Sequence, residues 1–397
     1  MARPAPHPAG RMTGWAILLQ WSRLGLSAAI FLSAARLLPL AEIGAFATAF
    51  ALPKLLQTLH KAGVCELRIT AEAPDRPIFL LSLATGLAAA LLCLAATPVL
   101  PADSRPHLLA LTALPLLNAL AAPSEGALRR ALRLRALALR TLAAQGLAAG
   151  LTLFGLMQGW GAWSLTGFAL INAGLNAAFS LVLAPPRLTA RGPALPLIPE
   201  LARLTLRPLL NAATFPTVQF LIGLALGLPA AGAFQIAARL VELVDTLALA
   251  PLRYLALPRF KAMVGTAGFA AKLRKSVWRV ALIVAVVYPA TAALAPAALP
   301  LLGPEKAQAA LPLLPPLLLT GALSAVLMPL IQALVALGQS GLPLRLAAVT
   351  FGLSLTLLLP VLTHPQALWA LPLGQTVAAL VFLRQARTAN ATLAHRS

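Results

Sequence analysis

The sequence predicts an all-α polytopic membrane protein with about twelve transmembrane helices in two parallel-repeat, six-helix lobes. Three observations predict this class. The 397-residue chain is 60% apolar and only 10% charged, with a mean hydropathy of +0.86. Long apolar runs alternate with short basic segments, and a stretch near the start of the chain recurs in its second half. Soluble domains carry about 25% charged residues, so an ordinary soluble fold is excluded.

The apolar runs are long enough to cross the ~30 Å hydrocarbon core of a bilayer as helices. A segment rich in Pro and Arg separates the sixth run from the seventh and reads as a linker. The expected domains are an N-terminal lobe at 1–186, a cytoplasmic linker at 187–205 and a C-terminal lobe at 206–397. In chain order, the predicted spans are 14–37, 42–63, 78–99, 106–124, 137–157, 161–183, 206–228, 231–257, 278–300, 310–336, 343–363 and 367–386.

The basic residues orient these spans. Most of the 31 Lys and Arg residues fall in the two tails and the even-numbered loops, whereas the odd-numbered loops hold only Arg36, Arg105 and Lys306. Cytoplasmic loops carry the excess of Lys and Arg, so both termini are expected in the cytoplasm. Because the basic clusters alternate with apolar spans, the net charge of +21 indicates membrane orientation and no nucleic acid partner.

An internal repeat supports the division into lobes. Residues 44–59 and 232–247 both begin with Gly-Ala-Phe and end with Thr-Leu, and Lys54 falls opposite Glu242. These segments belong to the predicted second and eighth spans, which run in the same direction. The repeat is therefore expected to be parallel, and parallel repeats place a substrate site between their halves.

Charged residues inside the spans are the candidate functional residues, because a charge at the bilayer centre costs at least ~2.5 kcal/mol and faces protein or water. Arg23 and Arg239 each lie about nine residues into a span, near mid-depth. A guanidinium donates bidentate hydrogen bonds to phosphate at any depth. Both arginines are predicted substrate ligands of a cavity, with Lys54 and Arg36 as further candidates.

Each candidate has a structural alternative. Arg239 and Glu242 are three residues apart and could form a fixed ion pair. Glu242 and Asp245 could carry a proton or a sodium ion in coupled transport, or could only neutralise nearby basic groups. Arg36 could anchor its helix at the interface. The sequence holds no metal-ligand spacing, P-loop or nucleophile motif, so no metal, no bound cofactor and no enzymatic activity are expected.

Three segments carry a resemblance to a known family. They are Gln20-Trp21-Ser-Arg23-Leu with Ala35-Arg36-Leu-Leu-Pro39-Leu-Ala-Glu42-Ile-Gly44-Ala-Phe46, Leu59-His-Lys-Ala-Gly63, and Gly232-Ala-Phe234-Gln-Ile-Ala-Ala-Arg239-Leu240 with Leu257-Pro258-Arg-Phe260. Together they resemble the polysaccharide-flippase branch of the multidrug/oligosaccharidyl-lipid/polysaccharide (MOP) exporter superfamily.

The resemblance implies two six-helix bundles that form a V around a central cavity and alternate between inward and outward states. It implies a location in the bacterial inner membrane and a substrate that is a polyprenyl-pyrophosphate-linked saccharide, as in lipopolysaccharide assembly. The implied partners are membrane lipid and other polysaccharide-assembly proteins, and a monomer is expected. A cation-coupled drug antiporter of the same superfamily is the main alternative. A membrane glycosyltransferase or polymerase is less favoured, because no predicted outer loop is large.

Overall fold

The computed structural model describes residues 25–71, 73–189, 192–261, 263–264, 268–339, 341–364 and 366–394. Within these ranges every regular element is a helix. In chain order the helices are α1 (Gly25–Leu37), α2 (Leu40–Thr58), α3 (Cys65–Thr70), α4 (Asp75–Ala96), α5 (Arg105–Leu111), α6 (Ala113–Arg130), α7 (Leu134–Met157), α8 (Trp163–Leu183), α9 (Leu197–Ala225), α10 (Leu228–Lys261), α11 (Phe269–Ala298), α12 (Pro304–Ala310), α13 (Leu314–Ala336), α14 (Gly341–Leu358) and α15 (Ala370–Ala394).

Nine helical segments of the described part are long and apolar enough to cross a membrane. Each overlaps a span predicted from the sequence. They are Asp75–Val99, Ala102–Arg130, Arg135–Met157, Ala162–Leu183, Leu197–Ala225, Phe269–Leu302, Pro304–Ala336, Gly341–Leu358 and Ala367–Arg384.

The other three predicted spans differ from these nine. The second and eighth are also helical, but they carry charges within their apolar stretches, at Glu42 and Lys54 and from Arg239 to Asp245. Only residues 25–37 of the first predicted span lie in the described part, where they form α1. The chain is thus an all-helical protein with many membrane-spanning helices, and the arrangement of twelve spans in two lobes stays a prediction.

The chain divides into two compact units, Met1–Leu209 and Leu210–Ser397. In the N-terminal unit, α6 is central and packs against α3, α4 and α8, while α7 pairs with α8. Small residues allow these approaches. A Cβ added at Gly86 of α4 would lie 2.5 Å from the Cβ of Ala119 in α6, and Ser82 Oγ donates to the Ala119 carbonyl at 2.7 Å.

A π-helical turn, Leu59–Val64, joins α2 to α3, so that Leu40–Thr70 is one continuous helical segment. The turn lies against α4 and α6. Its Gly63 lies directly against the side chains of Leu201 and Thr205 in α9. A larger residue at this crossing would force the side chains of Leu201 and Thr205 to shift.

The first part of α9 falls in the predicted linker, because α9 begins at Leu197. Leu197 and Leu201 are buried in one apolar cluster with Val64 and Leu67. Burial of this apolar face stabilises a helix where the sequence suggested a loop, and Arg203 of the same stretch is exposed. The linker and lobe limits drawn from the sequence otherwise stay predictions.

In the C-terminal unit, α13 packs against α10, α11 and α15, and α14 pairs with α15. The buried face of α10 includes Phe234, Ile236 and Leu249. Gln219 Nε2 of α9 donates to the Ala231 carbonyl at 3.0 Å, which joins α9 to the first turns of α10. A buried apolar face on α10 leaves its charged residues on the remaining surface of the helix.

Candidate functional site

Three charged side chains follow one another along α10 at intervals of three residues: Arg239, Glu242 and Asp245. Residues three apart are neighbours on a helix, and Arg239 Nη1 donates to Glu242 Oε2 at 2.6 Å. The arginine side chain is 20% exposed and the glutamate side chain 51% exposed. The ion pair that the sequence offered as one alternative therefore exists, and its glutamate lies largely at a surface.

Asp245 contacts the neighbouring helix. The Tyr288 hydroxyl of α11 donates to Asp245 Oδ1 at 3.1 Å, and Tyr288 itself is buried. Gly321 of α13 completes this junction, because an added Cβ there would lie 3.0 Å from Tyr288 Cε1 and 3.0 Å from Val241 Cγ1. Three helices thus meet at the acidic end of the α10 charge series.

Sequence reasoning missed Tyr288. The available signal was a tyrosine in the middle of an apolar span, since a buried phenolic hydroxyl needs a hydrogen-bond partner.

The predicted basic residues of the N-terminal unit lie in separate places. Arg36 is exposed near the C-terminal end of α1, and Lys54 is exposed on α2 after the buried Pro53. Arg23 lies outside the described residues. The structure brings together Arg239 and Glu242 among the predicted site residues, and the roles of all six stay predictions.

A buried ion cluster in the N-terminal unit was not predicted. Arg140 Nη2 of α7 donates to Glu125 Oε2 of α6 at 3.1 Å, and Arg140 Nη1 donates to Ser180 Oγ of α8 at 2.5 Å. The Arg140 side chain is only 5% exposed. Glu125 also accepts from Arg129, four residues further along the same helix. The cluster ties α6, α7 and α8 together.

The signal for Arg140 was the same one that singled out Arg239, namely an arginine inside a predicted span. What the sequence does not contain is the identity of the helix face that meets it.

A second carboxylate of this unit supports a helix start. Glu42 Oε2 of α2 accepts from the Ala162 backbone N–H at 2.9 Å, at the beginning of α8. A carboxylate is favoured at this end of a helix because the unpaired N–H groups carry positive partial charge. Gly161, with φ of +59°, lies directly against the Glu42 carboxylate. Glu42 therefore stabilises the start of α8.

Among the residues that the structure describes, no three His, Cys, Asp or Glu side chains converge closely enough to hold a metal ion. Cys65 and Cys93 are both buried free thiols. The polar chemistry of the described chain therefore consists of ion pairs and hydrogen bonds.

Solved structures of transporters share this fold. An inward-facing multidrug resistance MATE family transporter of the MOP superfamily matches 95% of this chain and 96% of its own, with a TM-score of 0.69 and 17% identity. The lipid II flippase MurJ in an inward closed conformation matches 96% of this chain and 88% of its own, with a TM-score of 0.75 and 12% identity. A MOP superfamily transporter from Pyrococcus furiosus matches 95% and 94%, at a TM-score of 0.64 and 16% identity.

Sequence comparison adds the family. No curated protein sequence matches the chain. A family described as "Polysaccharide biosynthesis protein" matches residues 34–303, which is more than half of the 397 residues. The resemblance to the polysaccharide branch of the MOP superfamily is thereby confirmed. With its multi-pass apolar helices and MATE- and MurJ-like fold, the chain belongs to the polysaccharide biosynthesis protein family.

Proposed function

We propose that this protein is a flippase of the bacterial inner membrane that moves a polyprenyl-pyrophosphate-linked saccharide by alternating access of two six-helix lobes. Both termini are proposed to face the cytoplasm. Family membership supports a role in polysaccharide biosynthesis. The likeness to a lipid II flippase and to drug transporters supports transport rather than enzymatic turnover.

The observation that carries the proposal is the Arg239–Glu242 pair. A guanidinium inside a transmembrane helix needs a counter-charge at every stage of transport. One of its present partners is a half-exposed glutamate, and an ion pair of this kind is worth about 1 kcal/mol or less. A pyrophosphate carries more negative charge and can take both prongs of the guanidinium. Substrate therefore replaces Glu242 as the partner of Arg239 without leaving the arginine uncompensated.

The remaining basic candidates extend this path. Arg23, Lys54 and Arg36 are proposed to offer further positive charge to the head group as it crosses. The polyprenyl tail stays in lipid, because its transfer to water would expose a long apolar surface. The proposed partners are accordingly the lipid-linked saccharide, membrane lipid and other proteins of polysaccharide assembly, with the transporter acting as a monomer.

The test replaces Arg239 in cells that lack the native gene. Arg239→Ala is expected to abolish surface polysaccharide and to leave lipid-linked precursor on the inner leaflet, while Arg239→Lys retains partial activity because it keeps charge but loses the fork. Arg259→Ala, an exposed arginine at the end of the same helix, is the matched control. Normal surface polysaccharide in Arg239→Ala at normal protein level would sink the assignment.

A cation-coupled small-molecule antiporter is the second candidate. It is favoured by the Asp245–Tyr288 pair, a carboxylate held at a junction of three helices, and by the likeness to MATE transporters. Proton or sodium coupling would then run through Asp245 or Glu242. Deletion that raises drug sensitivity while surface polysaccharide stays normal would favour this function over the flippase.

A further inference from the structure

His60 occupies an unusual position in the N-terminal unit. It is fully buried and lies in the π-helical turn Leu59–Val64. π turns are rare and are frequently found at functional sites. An ionisable side chain inside a membrane helix bundle is likewise a functional candidate. Nothing in the proposed substrate path uses His60, so its burial needs a separate explanation.

The contacts around His60 indicate its tautomer. Thr85 Oγ1 of α4 lies 3.4 Å from His60 Nε2, and the same hydroxyl donates its proton to the Leu81 and Ser82 carbonyls at 3.0 and 2.9 Å. Its only hydrogen is thus directed at its own helix, and toward His60 it acts as an acceptor. We therefore assign the imidazole proton to Nε2, which leaves Nδ1 unprotonated.

Nδ1 is a proton acceptor with nothing to accept. It is buried and has no hydrogen-bond partner within the described residues. Buried polar atoms are almost always hydrogen-bonded, so each exception calls for a reason. On the Nε2 side of the ring α4 packs closely, because a Cβ added at Gly86 would lie 3.6 Å from His60 Nε2.

Uncharged groups surround the ring. Ser82 and Thr85 contact it from α4, and no charged side chain of the described residues acts on it electrostatically. The nearest charged residues along the chain are Lys61, which donates to Gln57 at 2.6 Å, and the exposed Glu66. A proton added to Nδ1 would therefore create a charge with no compensating partner in the present packing.

We propose that His60 is a proton-binding site, and that uptake of a proton at Nδ1 reshapes the π turn between α2 and α3. In this turn the Cys65 amide reaches back five residues to the His60 carbonyl. The present packing offers an Nδ1–H group no acceptor, so protonation favours an opened turn in which a backbone carbonyl or water accepts from Nδ1–H.

The role of this step in transport rests on the proposed flippase function, whereas proton binding itself does not. A proton that binds one helix conformation more tightly than another shifts the population toward it. The pH difference across the membrane would then shift the helical segment Leu40–Thr70 between two conformations.

The first experiment follows amide hydrogen exchange of residues 59–66 in the full-length protein in lipid nanodiscs as the pH is lowered. After correction for intrinsic exchange, protection is expected to fall by about tenfold per pH unit across the titration, the slope for one proton. His60→Gln should remove this step. His364→Gln, which changes an exposed histidine, should keep it. The proposal is overturned if protection of the wild-type turn does not change with pH. It is also overturned if His60→Gln shows the same step as the wild type.

Thr85→Val supplies a second variant in case His60→Gln does not fold. It keeps the imidazole but removes the acceptor for Nε2–H, so the pH midpoint of the exchange step should move by a measurable fraction of a unit. An unchanged midpoint counts against the assigned tautomer and hence against proton uptake at Nδ1.

Transport in vesicles with an imposed pH gradient separates the two proposals. If wild type and His60→Gln move lipid-linked saccharide equally and the wild type shows no pH-dependent exchange step, the His60 proposal fails and the flippase stands. If the wild type shows the exchange step but neither protein moves saccharide, the flippase fails and proton binding stands.

Discussion

Tyr288 of α11 and Asp245 of α10 are joined by a 3.1 Å hydrogen bond, in which a buried phenol donates to a carboxylate. Hydrogen bonds to charged groups contribute about 1.5–3 kcal/mol to stability. Because Gly321 lets α13 approach both Tyr288 and Val241, the bond lies where three helices pack together. It is therefore a structural contact as well as a candidate element of coupling.

Tyr288→Phe keeps the ring and removes the hydroxyl, and it is expected to lower the unfolding free energy by about 1–3 kcal/mol because Asp245 loses a donor. Thermal unfolding in detergent measures this. In a cycle with Asp245→Asn, the two single changes should be coupled by about 1 kcal/mol. Strict additivity, within about 0.5 kcal/mol, would show that the contact contributes nothing to stability.

Arg140→Met is expected to destabilise the N-terminal unit by about 3–5 kcal/mol, because it removes the buried partner of Glu125 and leaves that carboxylate with the more exposed Arg129. The double change Glu125→Gln/Arg140→Met should recover much of this loss. Arg129→Met is the control, since the Arg129 side chain is 41% exposed and should cost about 1 kcal/mol or less. Equal losses for Arg129→Met and Arg140→Met would contradict the buried-cluster interpretation.

Gly374→Ala is expected to separate α15 from α14. An added Cβ would lie 2.9 Å from the Ser354 backbone nitrogen, and backbone cannot move aside as a flexible side chain can. A loss of about 1–3 kcal/mol should appear as a lower melting temperature. Gly352→Ala is the control. Gly352 lies in α14 with open space around the added methyl, so this change should be neutral or stabilising by up to ~1 kcal/mol.

Glu242→Gln tests the exchange of counter-charges at Arg239. Removal of the competing carboxylate should strengthen binding of a polyprenyl pyrophosphate about fivefold, which corresponds to ~1 kcal/mol. The measurement is the dissociation constant in nanodiscs. Glu305→Gln, at an exposed position of α12, should leave it unchanged. Weaker binding in Glu242→Gln would mean that the glutamate helps to hold substrate rather than competing with it.

Local apolar length predicted most of the membrane-spanning helices, because a helix must satisfy its backbone within lipid wherever the run is long enough. The start of α9 was not predicted as a helix, because the segment that holds it is rich in Pro and Arg and suggested a loop. Only the packing of Leu197 and Leu201 on residues distant in the sequence explains the helix. The Arg239–Glu242 pair was foreseeable because its partners are three residues apart on one helix.

Contacts between helices were not foreseeable in the same way. Arg140 meets Ser180 across 40 residues and Tyr288 meets Asp245 across 43. Each requires knowledge of which helix faces meet, and a single sequence does not record this. The π turn at His60 is also invisible to apolar periodicity, because one extra residue in a turn barely alters the pattern.

Because Glu125 and Arg140 neutralise each other, α6 and α7 have reason to enter the bilayer as a pair during synthesis. An isolated α7 would carry a bare guanidinium into lipid, whereas a hairpin of the two helices carries a compensated one. Five residues, 126–130, separate Glu125 from the loop at 131–133, and the glutamate leaves the ribosome before its arginine. Biogenesis of this unit should therefore be cooperative, with the earlier helix waiting at the translocon for the later one.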